Sequence, residues 1–142
     1  MARIFVLGTL KRGFSLSCAL DGSQYLGPYR SVERFPLLIA GQCYAPMLLD
    51  QPGSGRHILG EVYELDDAML ARIDGLESVG QPGNLRIRMR VSSLAGAGEC
   101  EAWAYAKAPE LATPVHSGYL DDYQDRRFIA PWQRPDGVAK PA

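Results

Sequence analysis

The fold of this chain is set by the stretch Arg3-Ile4-Phe5-Val6-Leu7-Gly8-Thr9-Leu10-Lys11-Arg12-Gly13, an apolar run that passes into a glycine-framed loop. The run Arg3–Leu7 predicts a buried strand, and Gly8-Thr9 ends it. Successive backbone N–H groups in such a turn form a concavity for an anion or a developing oxyanion, although a purely structural turn has the same sequence. The loop is not a P-loop, because Phe14-Ser15 follow Gly13 where that motif needs Lys and Ser or Thr.

Other parts of the chain also have strand patterns, and they alternate with loops rich in glycine and proline. The predicted extended segments are Gln24–Arg34, Phe35–Ala40, Pro46–Leu49, His57–Leu65, Leu85–Leu94 and Glu99–Lys107. Residues Ser15–Leu20 predict one or two helical turns. We therefore expect an α+β domain, a small mixed β-barrel with a few short helices.

The segment Asp66–Glu77 has the strongest helical pattern in the chain. Asp66 is a suitable N-cap and Asp67 suits the first turn. A single apolar stripe follows at helical spacing, formed by Met69, Leu70, Ile73 and Leu76. The turn-forming residues 80–84 end the helix.

Composition limits the function classes. The 142 residues suit one domain, 1–142, with a core at about 3–107 and a tail at 108–142. With 15 Lys+Arg against 16 Asp+Glu, the charge does not favour nucleic-acid binding. No apolar run is long enough for a membrane span, and no signal peptide is visible. We expect a cytoplasmic protein with neither a nucleic-acid nor a membrane partner.

The cysteines and histidines of the chain are few and widely separated. An odd count of three cysteines, Cys18, Cys43 and Cys100, is not a disulfide framework and favours a reducing compartment. The histidines His57 and His116 have no second ligand type at metal-like spacing. We therefore expect no metal, no cofactor, and no thiol or serine nucleophile from local motifs.

Glu77 is the candidate catalytic residue from the pattern alone. It lies one turn beyond Ile73 and two turns beyond Leu70, on the helix face that should be buried. Burial of a carboxylate raises its pKa toward the range of a general acid/base. The alternatives are pairing with an arginine of the strand that carries Arg86, Arg88 and Arg90, or a plain helix-end position.

Two further features stay open on the sequence. The arginines at alternate positions of that strand form either a solvated sheet face or a contact for an acidic leaving group. In the tail, Asp121 to Arg127 either close over a cavity or are simply solvated, and the aromatic residues beside them should pack on the body. These aromatic residues are Tyr119, Tyr123, Phe128 and Trp132.

Several blocks in order resemble the gamma-glutamylcyclotransferase-like (AIG2-like) family, and within it the gamma-glutamylamine cyclotransferases. The stretch Phe5–Gly13 resembles the amino-terminal signature V-Y-G-T-L-x-x-G. The match extends through Phe35–Gly41, Pro52–Arg56 and Gly60–Tyr63, and through Leu70–Ser78, which is similar to the family's L-D-x-x-E segment. The resemblance covers about Ile4 to Tyr105.

The resemblance implies a mixed barrel with a central cavity, and an enzyme that converts a gamma-glutamyl amine or amide to 5-oxoproline and the amine without a cofactor. It implies that Glu77 is the catalytic general acid/base. It also implies a substrate-binding loop and a cavity-lining tyrosine. These substrate-binding positions are Leu7, Gly8, Thr9, Leu10 and Tyr105.

The chain departs from the family pattern at two positions. Leu7 stands where the signature has tyrosine, and Asn84-Leu85-Arg86 stands where a tyrosine commonly precedes the arginine-rich strand. These departures favour a competing hypothesis, a non-catalytic protein that binds a small ligand on the same scaffold. A third hypothesis is an amide hydrolase of other specificity on the same scaffold. The carboxylate of Glu77 on the inward helix face favours the cyclotransferase.

Overall fold

The computed structural model describes residues 1–135. Seven strands and one α-helix form the body of these residues, with short 3₁₀ helices at Ser17–Leu20, Pro109–Leu111 and Pro131–Gln133. In chain order the main elements are β1 (Ala2–Val6), β2 (Gln24–Ser31), β3 (Leu37–Ala40), β4 (Ala45–Leu48), β5 (Leu59–Leu65), α1 (Asp67–Leu76), β6 (Asn84–Ser93) and β7 (Glu99–Lys107).

Five of the strands close into a barrel in the order β1-β5-β2-β6-β7. Neighbours are antiparallel except at the closing seam, where β1 and β7 run parallel with Ile4 opposite Trp103. Strands β3 and β4 form a separate antiparallel hairpin. The predicted mixed barrel is therefore confirmed, and parallel pairing at the seam brings the carboxyl ends of β1 and β7 to the same rim.

Strand β1 is buried on both faces, which explains its unbroken apolar run. Phe5 and Leu7 pack in one cluster with side chains of the other barrel strands. Ile4 and Val6 point to the other face, where they pack with Met69 and other residues of the helix side.

Helix α1 covers the outer face of the barrel at β1. Its N-cap is Asp66, whose side chain accepts a hydrogen bond from the N–H of Met69 at 2.8 Å. Met69 and Ile73 are buried, as the stripe predicts, whereas Leu76 at the last turn is exposed. The helix ends one residue before Glu77, because Ser78 adopts a left-handed conformation with φ 56°.

The inside of the barrel is filled rather than open. Residues from all five strands pack there with the β3–β4 hairpin and with Tyr123, which has no exposed surface. The resemblance predicts a central cavity, and the structure has a pocket at one end of the barrel, lined in part by Phe5 and Leu7 of the interior cluster. This pocket lies at the rim where β1 and β7 end.

The tail beyond β7 returns across the body. Backbone hydrogen bonds attach it at Leu120 to Leu37, at Asp121 to Leu59 and at Ile129 to Cys43. Tyr123, Phe128 and Trp132 pack against the two main clusters, as predicted. Tyr119 does not, since it is 49% exposed.

Within residues 1–135 no helix is both long enough and apolar enough to span a bilayer. The cysteines are unpaired thiols and each is partly exposed.

Candidate active site

A pocket of about 220 Å³ opens where the carboxyl ends of β1, α1 and β7 meet the tail. All six residues that the sequence analysis singled out line it, which are Leu7, Gly8, Thr9, Leu10, Glu77 and Tyr105. The structure thus brings the glycine loop and the glutamate to one pocket although they are about seventy residues apart in the chain.

Glu77 is placed by the end of α1. Its N–H donates to the carbonyl of Ile73 at 2.9 Å, and the left-handed Ser78 then turns the chain away beside the pocket. No hydrogen bond or ion pair from residues 1–135 reaches the Glu77 carboxylate. Burial raises the pKa of Glu77, and the positive charge of Lys107 partly opposes that rise. This shift moves the pKa of the carboxyl group in the direction that general acid/base catalysis needs.

The loop after β1 supplies backbone donors at the pocket wall. Within the described part of the chain, the N–H groups of Gly8, Thr9 and Leu10 have no acceptor, while the carbonyls of Gly8 and Thr9 accept from Lys11 and Leu16 at 3.0 Å. The turn is therefore fixed through its carbonyls and leaves its donors available. Such a set of N–H groups suits an anionic or carbonyl oxygen.

The residues after that loop hold it to the body. The Lys11 ammonium is buried and donates to the Asp122 carboxylate and to the carbonyl of Tyr123, both at 2.8 Å. The N–H of Arg12 donates to Glu61 at 3.0 Å, and its guanidinium stacks on Tyr25. The substrate-binding loop proposed from the sequence is therefore tied to the tail on one side and to β5 on the other.

Tyr105 lines the pocket, but its hydroxyl is already engaged. It donates to Asp74 at 2.8 Å, and Arg86 binds the other oxygen of the same carboxylate at 2.7 Å. Asp74, rather than Glu77, is thus the helix carboxylate that pairs with the arginine strand. Burial and the neighbouring Asp74 raise the pKa of Tyr105, so its hydroxyl stays protonated.

Arg88 and Arg90 of β6 are solvated and form ion pairs, whereas Arg86 is partly buried against Asp74. Arg88 pairs with Glu101 at 3.2 Å, Arg90 approaches Glu99 at 3.9 Å, and Arg88 stacks over Trp103. None of the three arginines of β6 lines the pocket. Of the two interpretations left open by the sequence, the structure favours the solvated face.

Comparison with known proteins shows which family the chain belongs to. The family described as gamma-glutamyl cyclotransferase, AIG2-like matches residues 4–125. The chain is a member of this family. It is therefore an enzyme of the cyclotransferase class, with the fold and family expected from the sequence.

Relatives in the gamma-glutamyl cyclotransferase family match over most of their length. The chain is 37% identical over 131 residues to a gamma-glutamylaminecyclotransferase of Bos taurus, covering 89% of this chain and 77% of the relative. It is 38% identical over 137 residues to the Homo sapiens gamma-glutamylaminecyclotransferase, covering 84% and 90%. The crystal structure of an AIG2-like protein from Mus musculus is similar with a TM-score of 0.72 at 36% identity, covering 84% and 88%.

The two departures from the family pattern have different structural weight. Leu7 is buried and lines the pocket, so its lack of a hydroxyl changes the pocket wall. Leu85 is 39% exposed and lies outside the pocket. Its neighbour Asn84 reaches the site indirectly, because its side-chain oxygen accepts a hydrogen bond from Lys107 at 2.6 Å.

Two groups of pocket residues were not predicted from the sequence: Lys107 and three residues of the tail. Lys107 follows Tyr105 by two positions, and the two-residue period of a strand could have placed both on one face. Phe128, Pro131 and Arg134 of the tail also line the pocket. They have no periodic pattern, so no comparable signal was available for them.

No group of three or more His, Cys, Asp or Glu side chains within residues 1–135 comes together in a way that could hold a metal ion. The polar groups at the pocket include a carboxylate, a lysine, an arginine, three hydroxyl side chains and backbone donors.

Proposed function

We propose that the protein is a gamma-glutamylamine cyclotransferase in which Glu77 is the general acid/base. The observation that carries the proposal is the shared pocket of Glu77 and the Gly8–Leu10 donors. The relatives named gamma-glutamylaminecyclotransferase support the substrate class.

The reaction needs one proton carrier. The α-amine nitrogen of the substrate bonds to the carbon of its side-chain carbonyl, and the bond from that carbon to the leaving nitrogen breaks. Glu77 accepts a proton from the attacking nitrogen and returns it to the leaving nitrogen. The products are 5-oxoproline and the amine, and no water is consumed.

Because nucleophile and carbonyl belong to one molecule, holding the folded conformer supplies much of the rate. The N–H groups of Gly8, Thr9 and Leu10 orient the glutamyl end of the substrate and stabilise negative charge on its oxygens. The buried wall at Leu7 excludes water from the ring-closing step.

The substrate class is tested by incubating the protein with gamma-glutamyl amines, gamma-glutamyl dipeptides and glutathione, and measuring 5-oxoproline by mass spectrometry. We expect 5-oxoproline from the amines. Glutamate as the product would instead indicate an amide hydrolase. Ligand-induced thermal stabilisation without any product would indicate a binding protein.

The role of Glu77 is tested with E77Q, which keeps the size of the side chain and removes the basic oxygen. We expect kcat to fall by about 10²- to 10⁴-fold, the usual contribution of a general acid/base. The matched control is D67N, the same change at an exposed position in the first turn of α1, which should keep wild-type turnover. Near-normal turnover in E77Q would exclude the assigned role.

A further inference from the structure

Lys107 lies at the rim of the barrel, beside the loop Gly8–Leu10. Strand β7 ends at Lys107 and runs parallel to β1, with Ile4 opposite Trp103, so that Lys107 and the loop at Gly8 follow the two strands to the same rim and line one pocket. A backbone bridge to Leu49 at the end of the hairpin fixes Lys107 from the other side. Its side chain lines the same pocket as Glu77.

The ammonium of Lys107 has unused hydrogen-bonding capacity. It donates to the neutral amide oxygen of Asn84 at 2.6 Å, and no carboxylate of residues 1–135 forms an ion pair with it. An ammonium has three donors, and burial with a neutral partner is unfavourable for a charge. Burial accordingly lowers the pKa of Lys107, while nearby Glu77 opposes this change.

Glu77 and Lys107 thus form a separated pair of opposite charges in one pocket. They influence each other electrostatically but make no ion pair. The amino-acid end of a gamma-glutamyl compound has the complementary pattern, with an ammonium and a carboxylate on one carbon. If the carboxylate of Glu77 binds the amine, a nearby cation stabilises the carboxylate of the substrate beyond what neutral N–H donors supply.

Resting on the proposed function, we propose that Lys107 binds the α-carboxylate of the gamma-glutamyl substrate, together with the N–H groups of the Gly8–Leu10 loop. A full positive charge beside neutral donors strengthens each hydrogen bond to an anion. Lys107 is then a specificity-determining residue: it selects substrates that carry the α-carboxylate and fixes the amine toward Glu77.

The test compares a gamma-glutamyl amine with its analogue that has hydrogen in place of the α-carboxylate, a 4-aminobutanamide of the same amine that closes to 2-pyrrolidinone. In K107M we expect kcat/KM for the gamma-glutamyl amine to fall by about 10- to 100-fold, mainly through KM, because a hydrogen bond to a charged group is lost. The analogue offers Lys107 nothing to bind, so it should lose much less, and the ratio of the two kcat/KM values should fall by about tenfold or more. A change that Lys107 makes through Glu77 affects both substrates and cancels in this ratio. K107R should retain most of the discrimination.

Two results would overturn the proposal. One is an equal loss for both substrates in K107M, because Lys107 would then act on the reacting carbonyl, on Glu77 or on the fold. The other is no loss with the gamma-glutamyl amine.

Direct binding separates this proposal from the proposed function. If wild-type protein turns over gamma-glutamyl amines but K107M shows unchanged discrimination, only the Lys107 proposal fails. If wild-type protein turns over none of them, the proposed function fails, and calorimetry with 5-oxoproline and 2-pyrrolidinone decides the Lys107 proposal. Wild-type preference for 5-oxoproline that is lost in K107M supports it, and equal affinities or a retained preference overturn it.

Discussion

Glu77 is a carboxyl group that the fold holds in a costly environment. Burial raises its pKa in the folded protein, with Lys107 as a partial compensation. The folded state therefore keeps the proton to higher pH than the unfolded chain does. Between the two pKa values the folded protein binds more protons, so stability falls as the pH rises, and the cost is complete above the folded pKa. A carboxylate poised for proton transfer is thus expected to reduce stability.

E77Q should show this cost directly. We expect the variant to be more stable than wild type in urea at mildly alkaline pH, because a partly buried charge is removed. The difference should shrink as the pH is lowered toward 4.5, the ordinary value for a glutamate. D67N at the exposed start of α1 is the control and should show no such trend. A difference between E77Q and wild type that does not change with pH would contradict the assigned burial effect.

At the scale of elements, strands and the helix were predictable because their periodicity is local. Predicted and observed bounds of α1 differ by one residue at each end, and Glu99–Lys107 agrees in full as β7. Within the site, Glu77 and the Gly8 loop could be predicted because each directly follows one of these elements. The pairing of Lys107 with Asn84 could not be predicted, because it depends on the register between two strands. The packing of side chains inside the barrel depends on such registers too, and the periodicity of a sequence does not specify them.

The loop after β1 and the hairpin strand β4 approach each other at Gly8, and this contact is testable. A Cβ at Gly8 would lie 2.6 Å from Cγ of the Pro46 ring, so G8A forces the loop and hairpin apart. We expect a loss of about 1–3 kcal/mol in urea unfolding and a raised KM, since both elements line the pocket. The control is G75A in α1, where a Cβ meets nothing within 4 Å.

The control G75A should change stability in the opposite direction to G8A. Alanine in place of a glycine inside a helix stabilises by about 0.5–1 kcal/mol, so G75A should raise the melting temperature and leave KM unchanged. If G8A and G75A changed stability alike, the close approach at Pro46 would not be the cause.

At the scale of the whole molecule, the site is complete only when the tail is in place. The barrel and α1 supply Glu77, the donor loop and Lys107, while Phe128, Pro131 and Arg134 of the tail form the remaining wall. The tail is attached to the substrate loop itself, since the buried Lys11 binds Asp122 and the carbonyl of Tyr123. The open question about the segment Asp121 to Arg127 therefore has a structural answer: it fastens the tail whose later residues wall the pocket.

The attachment predicts that K11M loosens the tail without removing any pocket residue. Loss of one partner of a fully buried pair costs several kcal/mol, but the Asp122 side chain is 34% exposed, so we expect about 1–2 kcal/mol in urea unfolding. The amide of Ile129, which donates to Cys43, should exchange its hydrogen faster, and KM should rise as the wall becomes mobile.

R126M is the matched control for K11M because Arg126 also joins the tail to the loop region, by a hydrogen bond to the carbonyl of Gly13 and stacking on Phe14. Arg126 is exposed, so its loss should cost less than about 0.5 kcal/mol and leave the exchange of Ile129 unchanged. Equal effects of the two variants would mean that the tail is held by its backbone hydrogen bonds and apolar packing. An effect of K11M alone would identify the buried Lys11 ammonium as the link between substrate loop and tail.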